Sequence, residues 1–153
     1  MSPVTLEKVS ENNFADFLSL IRKLADYEHL APPGKAEEDR LFRDCISNPP
    51  RYEAYIGSVE GRPVGYITFY FTYSTFLALP TLYLEDIFVL EEFRRSGIGR
   101  ELFRFCRAEA RRRGCGRMDW QVLTWNDPAI RFYEKEGGKR LDWYVYRLDR
   151  DAL

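Results

Sequence analysis

Six consecutive residues constrain this chain more than any other stretch: Arg94-Arg95-Ser96-Gly97-Ile98-Gly99. An apolar run, Thr81 to Leu90, precedes them and reads as a strand. A helical pattern, about Ile98 to Arg113, follows, with Ile98, Leu102, Phe105, Cys106 and Ala110 on its inner face. A glycine-bearing turn from a strand into a helix lets backbone approach a ligand closely. It also presents free N–H groups, with the helix dipole behind them, to an anion. Arg94 and Arg95 add positive charge. Two nucleotide loops are excluded on spacing. GxxxxGK[ST] is absent, and Leu102 stands where a third dinucleotide-fold glycine belongs. Asp119 lies 20 residues after Gly99, but near the start of its strand, where a ribose-binding acid has no place. A glycine turn without ligand remains open on these residues alone. The stripe Arg100, Arg104, Arg107 and Arg111 reads either as a solvated helix face or, at Arg100, as a further phosphate contact.

The rest of the chain supplies a frame for this loop. Val4 to Val9 reads as a strand. Asn13 starts a helix to about His29, with Phe14, Phe17, Leu18, Ile21, Leu24 and Ala25 at helical spacing. A second helix, about Ala36 to Ser47, follows Pro32-Pro33-Gly34. Tyr52 to Glu60 and Val64 to Tyr73 are expected as a hairpin, with Glu60-Gly61-Arg62-Pro63 as its turn. Beyond the loop and its helix, Arg117 to Trp125 is expected as a strand and Pro128 to Glu136 as a helix, with proline at its start. Lys139 to Asp149 is expected as the last strand. The order is β-α-α-β-β-β-α-β-α-β, an α/β (α+β) chain with a mixed, mostly antiparallel central sheet and helices on both faces. At 153 residues it suits a single domain, 1–153, with a core of its own.

Composition narrows the partners. No apolar run approaches the ~20 residues of a membrane span, so no membrane association is expected. Net charge is −1, which argues against nucleic acid. The balance is uneven: residues 1–92 hold 8 basic and 15 acidic side chains, residues 93–153 hold 15 and 9. One half suits a cationic ligand and the other an anionic one. Cys45, Cys106 and Cys115 show no CxxC, and His29 is the single histidine, so no metal site is expected. Reduced core thiols in a cytoplasmic protein fit this pattern.

RxxGxG between a strand and a helix resembles the acyl-CoA loop of the GNAT acetyltransferases. Leu82-Tyr83-Leu84-Glu85-Asp86-Ile87-Phe88-Val89 is similar to the preceding strand in spermidine/spermine and thialysine acetyltransferases. Trp125-Asn126-Asp127-Pro128 with Phe132-Tyr133, Leu24-Ala25-Asp26-Tyr27-Glu28, and Tyr66 to Tyr73 match the same subfamily. The resemblance implies acetyl-CoA as co-substrate and a small cationic amine as acceptor: a polyamine, a diamine or a lysine-like amino acid. It implies that backbone at Ile87, Phe88 and Val89 pairs with the pantetheine arm. Arg94, Arg95, Ser96, Gly97, Ile98, Gly99 and Arg100 would hold the pyrophosphate. Asn126, Asp127, Pro128 and Ala129 would contact the cofactor further on. Tyr133 would sit beside the thioester sulfur. Tyr27, Glu28, Glu85, Asp86, Asp119, Trp120 and Gln121 would meet the amine. A homodimer is also implied, with Trp143, Tyr144 and Tyr146 suited to an interface. Arg95 departs from the family, which often has glycine there.

The chemistry agrees with those residue types. An alkyl ammonium, with a pKa near ~10.4, must lose a proton before it attacks. Glu85 and Asp86 interrupt an apolar strand, where carboxylates are rarely tolerated without a reason. Alternation along a strand places them on opposite faces, and Glu85 is expected to face the amine and take its proton, directly or through water. A structural ion pair is the other reading. Tyr133, with a phenol pKa near ~10, suits a proton donor to the leaving thiolate; a tyrosine packed in the core is the alternative. Asn126 also suits a helix N-cap. Direct attack in a ternary complex is expected. A peptide or protein N-acetyltransferase, or a CoA-binding module without catalysis, are the competing functions.

Overall fold

A computed structural model describes residues 2–153. These divide into two compact units, one up to residue 121 and one over 122–153. The first is built on a five-stranded sheet in the order β1-β2-β3-β4-β5: Val4–Lys8, Glu53–Val59, Arg62–Ser74, Leu79–Val89 and Arg117–Trp120. Neighbours are antiparallel except β4 and β5, which are parallel and joined through helix α3, Ile98–Arg112. Helices α1, Phe14–Glu28, and α2, Lys35–Ile46, lie between β1 and β2 in sequence. The β2–β3 turn needs only two residues, Glu60 and Gly61, both at positive φ (50° and 78°), as a two-residue hairpin turn requires.

The sheet's two faces separate cleanly. Ile56 and Tyr66 are cross-strand partners and pack with Phe17, Leu20, Cys45 and Phe88 in one cluster, the α1 side. The Phe17 and Tyr66 rings meet edge to face at 5.4 Å. Their chain neighbours Gly57 and Gly65, also cross-strand partners, face Leu102 of α3. A Cβ on Gly65 would stand 2.5 Å from the Phe88 carbonyl oxygen and 3.4 Å from Leu102 Cδ1, so glycine here is a steric demand. Leu102, Phe103 and Cys106 are buried on that side, and burial pushes the Cys106 thiol up to about 12. Helices on both faces were expected and are found. All three cysteines are free.

One ion pair ties the end of α3 to the start of β2. Arg113 donates to both oxygens of Glu53 at 2.5 and 2.8 Å and to Glu109 at 3.1 Å, with its guanidinium over Phe71. Glu53 is only 7% exposed, which explains why an acid survives in β2.

The second unit holds α4, Asp127–Lys135, and a short 3₁₀ turn at Arg150–Ala152. Two expectations fail. The strand expected over Arg117 to Trp125 stops at Trp120, and no strand forms over Lys139 to Asp149. Strand-like alternation says only that a segment fits a pleated sheet; a ladder needs backbone partners. Residues 139–149 have none, and Trp143, Tyr144 and Tyr146 are 77–91% exposed. Among the described residues no helix is long and apolar enough to cross a membrane.

Candidate active site

The site in the first unit begins with an irregularity in β4. Thr68 pairs with Asp86, but the next residue of β3, Phe69, pairs with Leu84. Glu85 is therefore an extra residue, a bulge. The consequence is a change of face. Thr68 is also the partner of Ala54, which belongs to the α1-side cluster, so Asp86 lies on the α1 side. Phe69 and Leu84 are on the other side, and Glu85, one step from Leu84, returns to the α1 side as well. The expected separation of the two acids onto opposite faces is thus corrected: the bulge puts both on one. Titration behaviour agrees, since Glu85 acts on Asp86, Tyr66, Tyr70 and Tyr83.

Around this bulge the fold gathers acids. Glu28 ends α1 and is half-buried; loss of solvent raises its pKa. Asp119, on β5, pairs in register with Tyr83 and makes a 3.5 Å ion pair with Arg117. The Asp86 carboxyl is pushed up to about 6, first by burial and then by the Glu85 and Glu28 charges, against the pull of hydrogen bonding from Thr68. The buried Tyr66 hydroxyl lies beside the same carboxyl and acts on its titration, but forms no hydrogen bond of normal geometry. Glu85 itself is exposed rather than buried. Glu28, Asp86, Glu85 and Asp119, with Tyr70 and Tyr83, make an acidic, aromatic surface on one face, over the buried Tyr66. Such a surface suits a cation with an apolar body. Trp120 is turned the other way, edge to face with Phe103 of α3 at 5.3 Å, and Gln121 is exposed beyond the strand end.

The candidate cofactor side is built from the same strand. β5 accompanies β4 only from Thr81 to Leu84. From Glu85 to Val89, β4 has β3 on one edge and, among the described residues, no strand on the other, an edge where an extended amide chain can pair. A 3₁₀ turn, Glu91–Phe93, leads into the loop. Arg94 turns back: its Nε donates to the Val89 carbonyl at 2.9 Å and its guanidinium lies over the Tyr27 and Phe88 rings, at 4.6 and 5.6 Å. It joins the loop to the end of α1, a role the motif did not announce. The Ser96 hydroxyl donates to the Phe93 carbonyl. Arg95 and Gly97 both take positive φ, 63° and 88°, and no side chain caps α3. An uncapped, 15-residue helix behind a basic glycine loop fits a pyrophosphate, and the open β4 edge fits a pantetheine arm.

In the second unit, Asn126 caps α4, its Oδ1 accepting from the Ala129 N–H at 3.4 Å, with Pro128 in the first turn. The N-cap reading of Asn126 therefore holds. Tyr133 lies one turn on, its ring 5.4 Å from that of Phe132.

Comparison with known proteins gives the family and the fold. Residues 17–138 match the Acetyltransferase (GNAT) family. The chain is 32% identical over 165 aligned positions to the thialysine N-epsilon-acetyltransferase of Bos taurus, covering all of this chain and 96% of the relative. It is 30% identical to the enzyme of that name from Caenorhabditis elegans, covering 95% of this chain and 91% of the other. In fold it is similar to an aminoglycoside N-acetyltransferase solved in complex with CoA, with a TM-score of 0.78 at 18% identity over 98% of this chain and 97% of that one. Family and fold agree with the strand–loop–helix unit and its notched sheet: this chain belongs to the GNAT family of acetyl-CoA-dependent N-acetyltransferases.

Proposed function

We propose that the protein transfers an acetyl group from acetyl-CoA to a primary amine of a small cationic substrate, a diamine, polyamine or lysine-like amino acid. The observation that carries this reading is the β4 bulge, which gathers Glu85 and Asp86 on the face shared with Glu28 and Asp119, beside an open strand edge. Relatives named for thialysine and for L-ornithine point to amino acids with a side-chain amine.

Acetyl-CoA supplies the thioester when bound. Backbone at 87–89 and the loop 95–100 hold it, with Asn126 to Ala129 as further contacts. The acidic face draws the ammonium in and holds its far end. Glu85, exposed at the bulge, takes the proton from the reacting amine, directly or through a water. Tyr133 keeps a proton ready for the leaving sulfur, a role that rests on its place in the WNxP…FY pattern. The protein acts as a homodimer in the cytoplasm. CoA release measured against lysine, thialysine, ornithine, putrescine, spermidine and a lysine peptide tests the reading. One free amine is preferred, and Glu85→Gln and Tyr133→Phe each lower kcat by about 10²–10⁴-fold, the usual range for a lost proton-transfer group. Equal turnover of the peptide and the free amines, or unaffected variants, would reject it.

A further inference from the structure

A bulge removes a regular hydrogen bond from the ladder, and the backbone N–H set loose needs another acceptor. In β4 that N–H belongs to Asp86, and its acceptor is a side chain. Thr68 Oγ1 receives the Asp86 N–H at 3.1 Å and donates its own proton to Asp86 Oδ2 at 3.0 Å. Thr68 is 4% exposed, so water does not substitute for it. We propose that Thr68 is a positioning residue of this enzyme: one hydroxyl fastens the bulge that turns Glu85 and Asp86 to the same face, and keeps the Asp86 carboxylate ionised and aimed there. The part of this that concerns catalysis rests on the reading that the acidic face receives the amine.

The surroundings make that hydroxyl matter. The groups acting on Asp86 are Tyr66 from β3, Tyr52 ahead of β2, Glu28 from α1 and Glu85 beside it. The two charged ones are acids, and both oppose ionisation of Asp86. Of the cations on this face, Arg94 is engaged with Tyr27, Phe88 and the Val89 carbonyl, and Arg117 with Asp119. Tyr66 offers no well-formed hydrogen bond. The Thr68 hydroxyl is thus the group that favours the charged form most directly. Valine preserves the β-branched shape and removes only this function; serine restores it.

The test is a ¹³C NMR titration of the Asp86 carboxyl, assigned with Asp86→Asn, in the wild type, Thr68→Val and Thr68→Ser. Loss of a hydrogen bond to a charged group moves the midpoint up by about one pH unit in Thr68→Val, and Thr68→Ser returns it towards the wild type. The acid limb of kcat/KM for the preferred amine moves with it. The midpoint is read without substrate, so it separates the two ideas. A shifted midpoint with an unmoved acid limb upholds the fastening and overturns the acidic face as the amine site. An unmoved midpoint in Thr68→Val, or equal shifts in valine and serine, overturns the proposal. Should the valine variant not fold, the wild type still decides: the Thr68 methyl resonance follows the Asp86 midpoint, and a flat Thr68 signal refutes the contact.

Discussion

Asp86→Asn is expected to make the protein more stable and less active, with a pH signature that tells the two effects apart. The carboxyl ordinarily titrates near 3.8 and here near about 6. The folded state therefore binds its proton more tightly than the unfolded state does. Stability from this group is fully present below about pH 4 and is lost as pH rises through about 6. Two pH units correspond to about 3 kcal/mol at 1.36 kcal/mol each, an upper bound reached above pH 7. Asparagine carries no charge to bury and can still accept from the Thr68 hydroxyl. Urea unfolding at pH 4, 6 and 8 should thus show a gain that grows from near zero to at most about 3 kcal/mol, while kcat/KM for the amine falls. The m-value should not change, since the unfolded surface is the same. A variant that is less stable at pH 8, or a gain independent of pH, would refute the idea that the fold holds this carboxylate against its own preference.

Other substitutions probe the frame. Arg95→Gly should leave stability unchanged or raise it by about 1 kcal/mol, because release of left-handed strain exceeds the entropy cost of glycine. The KM for acetyl-CoA should rise at least about tenfold as the loop loses a charge-assisted contact, measured by steady-state kinetics beside thermal melts. Arg113→Met strands Glu53, leaving only Lys8 at 3.6 Å, and should cost about 3–5 kcal/mol in urea unfolding. Gly65→Ala, which forces a Cβ against the Phe88 carbonyl, should cost about 1–3 kcal/mol, read by thermal or urea unfolding.

What the sequence disclosed follows from what periodicity can carry. The amphipathic spacing of Phe17, Ile21 and Leu24, or of Ile98, Leu102 and Cys106, marks helices whatever they pack against, and α1 and α3 formed where expected. The turn from β4 into α3 was legible because its glycines serve backbone geometry locally. The acids at 85 and 86 were legible as an anomaly in an apolar run, but their common face was not. An added residue in one strand leaves no mark on composition and reveals itself only in the pairing with Thr68 and Phe69. Arg94 was only partly legible for a related reason: its contacts with the rings of Tyr27 and Phe88 join residues distant in sequence. The strand over 139–149 failed because Leu141, Trp143, Val145 and their neighbours alternate without a partner ladder.

The glycine pair at 57 and 65 has a reach beyond packing. Leu102 rests where two side chains are missing, and it lies within the first two turns of the helix that opens at Gly97. The aim of the loop's amides is therefore set by the depth of a notch in the middle of the sheet. A mutational scan that scores only cofactor affinity would then flag Gly57 and Gly65 among its hits, though both lie outside the loop itself. Anyone mapping a binding footprint from such data would draw it too deep, into the floor of the protein rather than along its edge.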